Sequence, residues 1–255
     1  MPNTYYAPYG RQKDSFAEPA GGNCGPRPLG SLLVLPDNRT FCMALAGAAA
    51  RVAGKLNQSV VPVAEHFENV VSTIPAVGDT TIAATLGATL AAIDIYSEGM
   101  VHLNKSTGLD YGHRIRRAIT EGRAHAAVAS SGIITVSLEI GESVDVAGIS
   151  TTEASFTRNR FHATIIHDSP PTAQLAGVSV GIAAASRYYY EQVLGMCAVT
   201  ADGAVVVGDF VVPSATVDGT VMPSAAFETD GPYVGICGKA NITAETAIID
   251  LKLGY

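Results

Sequence analysis

The chain has 255 residues, of which only 15% are charged, with 16 Lys and Arg against 23 Asp and Glu. The net charge of −7 argues against a nucleic-acid-binding protein, because such proteins concentrate positive charge. An apolar content of 47% argues against a disordered chain, and no apolar run reaches the roughly 18 residues that a transmembrane helix needs.

The low charge content predicts an assembly. About 25% of the residues of a typical soluble domain are charged, and well-behaved monomer surfaces carry still more. We therefore expect protein, rather than water, to cover part of this surface, and we predict a homo-oligomer. The basic residues between Arg114 and Arg123 are interpreted as a solvated or salt-bridged face.

Residues 1–29 are rich in proline and glycine and contain several aromatic side chains. Proline removes amide donors and fixes φ, so neither a helix nor a central strand is expected there. We predict an extended arm that lies on a neighbouring subunit, with Tyr5, Tyr6, Tyr9 and Phe16 as its contact residues; the alternative is a solvated tail. The first residues also lack the pattern of a secretory signal peptide, so synthesis in a cytoplasm is expected.

Residues 40–55 are predicted to form one short α-helix. Apolar side chains recur at helical spacing from Phe41 through Leu45 and Val52. Thr40 or Asp37 is placed to cap the helix, and Lys55 lies near its C-terminal end. The alanines and glycines between them would form a smooth stripe that allows another backbone to approach closely.

Beyond residue 70 the pattern predicts β-structure. The expected strands are residues 80–86, 89–96, 100–103, 133–140, 160–166, 177–183, 196–200, 204–212 and 244–253. Residues 187–192 fit either a strand end or a short helix. Asp-Gly pairs at 202, 218 and 230 are turn signals whose spacing favours antiparallel meanders. We therefore predict a mainly β fold: an antiparallel β-sandwich or barrel-like body over residues 30–255, divisible into subdomains of about 30–130 and 131–255.

The four cysteines predict neither disulfides nor a zinc site. Cys24, Cys42, Cys197 and Cys237 form no C-x-x-C pair and match no zinc spacing. We expect them to be reduced, small apolar residues, more of them buried than reactive.

The sequence contains one motif typical of an enzyme. Gly177-Val-Ser179-Val-Gly181 matches the G-x-S-x-G nucleophile elbow of hydrolases, in which an acid and then a histidine follow the serine. All six histidines precede Ser179, and the residues after it are β-like, so we expect no enzyme. No phosphate loop is found, and the histidine spacings around His102, His113, His162 and His167 do not enforce a metal site. No catalytic residue, cofactor or metal is therefore predicted.

The order of features resembles the capsid decoration, or cement, proteins of tailed bacteriophages. The resemblance is carried by residues 29–41, 54–56, 94–99, 188–195 and 201–214. It implies an oligomer, a trimer being the usual form, that sits on the outside of the capsid and bridges neighbouring major capsid protein subunits. It also implies location in the virion, at the capsid surface, with no nucleic acid and no membrane as partner.

Three other interpretations stay open. The chain could be a major capsid or tail subunit, although a common phage shell fold needs a longer spine helix than the sequence predicts. It could be a serine hydrolase that uses Ser179. It could also be an intracellular homo-oligomer with no viral link.

Overall fold

The computed structural model describes residues 4–6, 27–89, 91, 95–104, 112–116, 132–225, 232–241 and 245–253. In this part the chain is mainly β, which confirms the predicted fold class. A 3₁₀ turn covers Ala64–His66, and the described residues contain no α-helix. The strands, in chain order, are β1 (Thr4–Tyr6), β2 (Leu32–Val34), β3 (Thr40–Leu45), β4 (Leu56–Gln58), β5 (Asn69–Val70), β6 (Thr81–Thr85), β7 (Met100–Asn104), β8 (His113–Arg114), β9 (Ile133–Ser137), β10 (Glu153–Thr157), β11 (Ile165–Ile166), β12 (Leu175–Ser179), β13 (Tyr188–Thr200), β14 (Phe210–Pro213), β15 (Val221–Pro223), β16 (Gly235–Lys239) and β17 (Thr246–Lys252).

The chain forms two compact units. The first, which we call the sheet unit, comprises Met1–Val61 and Arg160–Tyr255; the second, the barrel unit, comprises Pro62–Asn159. The barrel unit is thus an insertion between β4 and β11, whereas the sequence led us to place a boundary near residue 130. The composition of the chain does not reveal such an insertion, because residues of the first unit lie on both sides of it.

The sheet unit is built on one sheet of eleven strands. Its main path runs β1-β2-β3-β13-β17-β16-β14-β15, and a branch from β13 runs through β12 and β4 to β11. The long strand β13 pairs antiparallel with β3 along its first half and with β17 along its second half. This arrangement explains why residues 187–192 were ambiguous: residues 188–192 belong to β13, where nearly every side chain is buried and no alternation shows.

The barrel unit closes on itself. One sheet has the order β5-β10-β7-β8 and the other pairs β6 with β9. Antiparallel bridges at Val71–Ala84 and Ile115–Leu138 join the two sheets at both edges, so the six strands form a continuous ring. Its core is apolar and includes Phe156, Tyr96 and Ile134. Closure leaves no free strand edge in this ring, which is how barrels avoid unwanted pairing.

The predicted helix over residues 40–55 is wrong. Residues 40–45 are strand β3, which pairs with β2 on one side and β13 on the other, and five of its six side chains are buried. Gly54 then adopts a left-handed φ of +75°, which no helix interior accommodates. The close backbone approach that we expected of the small residues does occur, but within the chain: a Cβ on Gly47 would lie 3.0 Å from the Thr164 carbonyl oxygen.

Most of the predicted strands appear, several with shifted bounds. Residues 80–86, 100–103, 133–140, 196–200 and 244–253 each contain or overlap a strand at nearly the expected place. The expected strand 89–96 has no counterpart among its described residues. The expected strand 204–212 overlaps only the first three residues of β14, because a turn at 207–208 precedes that strand. Cys42, Cys197 and Cys237 are free and buried, as expected, while Cys24 lies outside the described residues.

Candidate functional site

Two neighbouring segments of the sheet unit form an apolar surface that we call the ribbon face. They are residues 46–54 and 179–187, which run antiparallel. Backbone hydrogen bonds connect them at both ends and in the middle: Ala46 N to Arg187 O at 2.9 Å, Arg51 N to Ala183 O at 2.8 Å, and Gly54 N to Ser179 O at 2.7 Å. The ladder fixes which side chains point outwards.

The outward side of the ribbon face is aliphatic. Ile182 is 81% exposed and Val52 is 48% exposed, and Val180 is also exposed. Most of the remaining outward positions are small, namely Ala48, Ala49, Ala50, Ala53, Gly181, Ala184, Ala185 and Ser186. The charged Arg187 is exposed at one end of the ribbon. Contiguous exposed apolar surface is uncommon on soluble monomers and marks interaction sites. The ribbon face is therefore our candidate site.

Arg51 is the one charged residue within 46–54, and it points inwards. Its side chain is only 2% exposed, and Nη2 donates a hydrogen bond to the Ala49 carbonyl oxygen at 2.7 Å. Arg51 pairs with Ala183 across the ribbon, so the pleat buries both while Val52 and Ile182 face out. The ribbon face consequently presents no charge at its centre.

A polar cluster lies beneath the ribbon face. Tyr189 donates a short hydrogen bond to Glu191 Oε1, and the Tyr189 hydroxyl lies 2.7 Å from Thr164 Oγ1. Burial raises the pKa of Glu191 from 4.5 to about 7, although the hydrogen bond from Tyr189 and the charge of Arg51 act in the opposite direction. Burial also raises the pKa of Tyr189 well above 10, and the Glu191 charge adds to this. Glu191 therefore changes charge near neutral pH.

The barrel unit exposes a second apolar surface, which we call the barrel tip. It comprises residues 72–80 and 139–151, two segments held together by Gly148 N to Pro75 O at 2.8 Å and Gly78 N to Val144 O at 2.9 Å. Ile140 is 74% exposed and Val77 is 66% exposed. The other exposed aliphatic side chains here are Ile74, Val146 and Ile149.

The charges at the barrel tip differ from those of the ribbon face. Its two segments contain four acidic residues, Asp79, Glu139, Glu142 and Asp145, and no basic residue. Glu142 Oε2 accepts a hydrogen bond from Arg114 N at 2.8 Å and lies 3.8 Å from His113 Nδ1. The tip is thus an apolar surface with an acidic border.

The predicted arm residues are only partly described. Tyr5 and Tyr6 lie in β1, which pairs parallel with β2 of the same chain, with Tyr5 opposite Leu33 and Tyr6 opposite Val34. Tyr9 and Phe16 lie outside the described residues.

Ser179 does not stand at an exposed turn. It is the last residue of strand β12, it is fully buried, and its hydroxyl accepts a hydrogen bond from Asn57 Nδ2 at 2.7 Å. A nucleophile elbow needs a strand-to-helix turn that exposes the hydroxyl. The G-x-S-x-G motif here instead leads from β12 into the ribbon face.

Two buried histidines serve local structure. His167 is buried, with Nδ1 2.6 Å from the Asp168 carbonyl oxygen and Nε2 2.8 Å from that of Thr220. In the barrel unit His66 is buried, and its Nδ1 makes a short hydrogen bond with the Tyr96 hydroxyl. Among the described residues, no three His, Cys, Asp or Glu side chains are grouped as metal ligands.

Sequence reasoning missed the ribbon face because its two halves are about 130 residues apart. A signal was present: residues 46–54 and 180–186 are both dominated by small and aliphatic side chains and together contain one charged residue. We interpreted the first of these segments as a helix and part of the second as a strand.

Comparisons with protein-family models, curated proteins and solved structures found no match to this chain. Within the described residues, no helix has the length and apolar character needed to cross a membrane.

Proposed function

We propose that this chain is a structural subunit that self-associates through the ribbon face and acts as a capsid decoration protein of a tailed bacteriophage. The observation that carries the self-association is the exposure of Val52 and Ile182 on a surface from which Arg51 is turned away. Burying such a surface gains roughly 25 cal/mol per Å² before the costs of association are subtracted. A charge-free centre means that no ion loses its hydration in the contact.

The chain's composition supports the same function. Only 15% of its residues are charged, which suits a protein that works within an assembly. The resemblance in residues 29–41 and 188–195 supplies the decoration role and a trimer as the expected oligomer. Bridging of major capsid protein subunits then falls to surfaces outside the ribbon face, with the predicted arm over residues 1–29 and the barrel tip as the two candidates.

The test is mass measurement in solution, with and without purified empty phage capsids. We expect an oligomer alone, and a capsid-bound form when shells are added. Ile182→Asp should weaken the oligomer and shift the measured mass towards the monomer, since a carboxylate would have to be buried unpaired in the contact. The matched control is Ile140→Asp at the barrel tip, which should leave the oligomer intact.

Two results would count against the proposal. A wild-type chain that is monomeric at micromolar concentration would contradict the proposed self-association. An oligomer that does not bind capsids would contradict the decoration role. Labelling by a fluorophosphonate probe that is lost in Ser179→Ala would favour the hydrolase interpretation instead.

A further inference from the structure

In the described part of the sheet unit, the buried polar atoms that hydrogen bond to no described protein group include a set of four. They belong to three side chains: Nε and Nη1 of Arg51, Oε2 of Glu191 and Oδ1 of Asn57. Arg51 is 2% exposed, and Asn57 and Glu191 are fully buried. Buried donors and acceptors in native proteins nearly always have a partner, because leaving one unpaired costs the desolvation of that group. Three such side chains in one cluster require an explanation.

Strand register places Asn57 and Glu191 on one face of the sheet. Asn57 is paired with Gly177, and Glu191 with Ser179 of the same strand, β12. Paired residues, and residues two apart along a strand, project to the same side. The Asn57 amide nitrogen bonds Ser179 on that side, so its Oδ1 is the atom left over.

Gly177 makes room for this arrangement. A Cβ on Gly177 would lie 2.9 Å from Glu191 Oε2 and 2.7 Å from Glu191 Cβ. The Glu191 carboxylate therefore lies over the glycine, beside Asn57. Its other oxygen, Oε1, is already occupied by the Tyr189 hydroxyl.

Arg51 reaches the same cluster from the ribbon. Gly54 N donates a hydrogen bond to Ser179 O at 2.7 Å, so the ribbon meets β12 at the serine that Asn57 bonds, and the buried Arg51 side chain extends from this part of the ribbon. The charge of Arg51 accordingly lowers the pKa of Glu191, as does that of Arg160. One of the Arg51 nitrogens, Nη2, is held by the Ala49 carbonyl oxygen, which leaves Nε and Nη1 as unpaired donors.

The chemistry of the four atoms defines what they would bind. Two are donors on Arg51 and two are acceptors on Glu191 and Asn57, so the ligand must both accept and donate hydrogen bonds. Arg51 and Arg160 both place positive charge near Glu191, but an anion only accepts hydrogen bonds and a metal cation only binds acceptors, so neither kind of ion fits both pairs of atoms. Complete burial limits the ligand to a very small molecule. Water meets all three conditions.

We propose that Arg51, Glu191 and Asn57 enclose a buried water-binding site, in which water accepts from the Arg51 guanidinium and donates to Glu191 Oε2 and Asn57 Oδ1. The site connects the ribbon, through Arg51, to β13 and β4 of the sheet. This inference goes beyond the proposed function, because it holds whatever the ribbon face binds.

A high-resolution crystal structure of the wild-type protein is the direct test. We expect density for at least one water within hydrogen-bond distance of Arg51 and of Glu191 Oε2 or Asn57 Oδ1. A direct Arg51–Glu191 contact that closes the space would overturn the proposal, as would a bound ion.

Oxygen-17 magnetic relaxation dispersion gives a solution test, since it counts long-lived internal waters. The double variant Arg51→Met, Glu191→Met replaces both ionisable side chains by apolar groups of similar size, and its count should fall by at least one water. Asn57→Leu gives a second, milder variant with the same expected direction. Val199→Ala, in the same core, is the control for lost stability and should leave the count unchanged. Equal counts in wild type and in both site variants would refute the site.

Discussion

The ribbon face and the barrel tip both expose aliphatic side chains, but the charged residues around these side chains differ. The ribbon buries Arg51 and exposes Arg187 only at one end, so Val52 and Ile182 stand at an uncharged centre. The tip places Ile140 and Val77 among acidic residues such as Glu142. Contact at an uncharged surface depends on buried apolar area and little on salt, whereas charged surroundings make association sensitive to salt and select partners by their charge. The partner that an apolar surface binds thus depends as much on the charges around it as on its own side chains.

The largest expected effect comes from removing the buried charge of Arg51. Arg51→Ala should lower the free energy of unfolding by about 4 kcal/mol, because it removes a large buried side chain and one of the two positive charges, those of Arg51 and Arg160, that stabilise ionised Glu191. Urea denaturation measures this. Arg187→Ala, at the exposed end of the same ribbon, is the control and should change stability by less than about 0.5 kcal/mol. If the two variants were equally stable, the Arg51 guanidinium would not anchor the ribbon.

A pH titration of stability probes the same buried cluster. The pKa of Glu191 is raised from 4.5 to about 7 in the folded protein, so between these values the folded state holds a proton that the unfolded chain has released. The contribution of Glu191 to stability is therefore greatest below pH 4.5 and falls by about 3 kcal/mol as the pH rises to 7.

Glu191→Gln should remove that fall, and the difference between wild type and variant across pH 4.5–7 isolates it from other carboxylates. Asp37 and Asp202 act in the opposite direction, because hydrogen bonds lower their pKa values, but they are present in both proteins and cancel. Parallel stability curves for the two proteins would show that Glu191 is already ionised in the folded state at low pH.

The two surfaces can be compared directly by the effect of one substitution in each on the self-association constant. Ile182→Asp should weaken it by roughly 30-fold, equivalent to about 2 kcal/mol, measured by sedimentation equilibrium. Ile140→Asp at the barrel tip should weaken it less than about 2-fold. The opposite ranking would transfer the subunit contact from the ribbon face to the tip.

The smallest expected effect concerns the border of the tip. Glu142→Ala removes the acceptor for the Arg114 amide and should lower the stability of the barrel unit by about 1 kcal/mol. Hydrogen exchange of the barrel-unit amides would report it. Thr73→Ala, exposed on the other tip segment, should leave those exchange rates unchanged.

The sequence predicts an element well when its pattern is local, and poorly when the residues that pack against it are far away in the chain. Alternation in residues 133–140 predicts β9 well, because one face of the strand packs in the barrel core and the pattern is local. Strand β3 gives no such pattern, because both of its faces are buried, and the alanines after it fit helical spacing by coincidence. From the sequence, Arg51 is expected at the surface, because Glu191, on which its charge acts, lies 140 positions later in the chain. Such pairs are fixed by the fold and not by local propensity.

The insertion of the barrel unit has a practical consequence. The chain leaves the sheet unit shortly after β4 and returns just before β11, and these two strands are antiparallel neighbours, with Gln58 opposite Ile165. The departure, after residue 61, and the return, at residue 160, therefore lie three and five residues from a paired position. A module attached in this way can be exchanged as a cassette: a short turn in place of residues 62–159 should leave the sheet unit able to fold, and a foreign domain with close termini should be accepted at the same position.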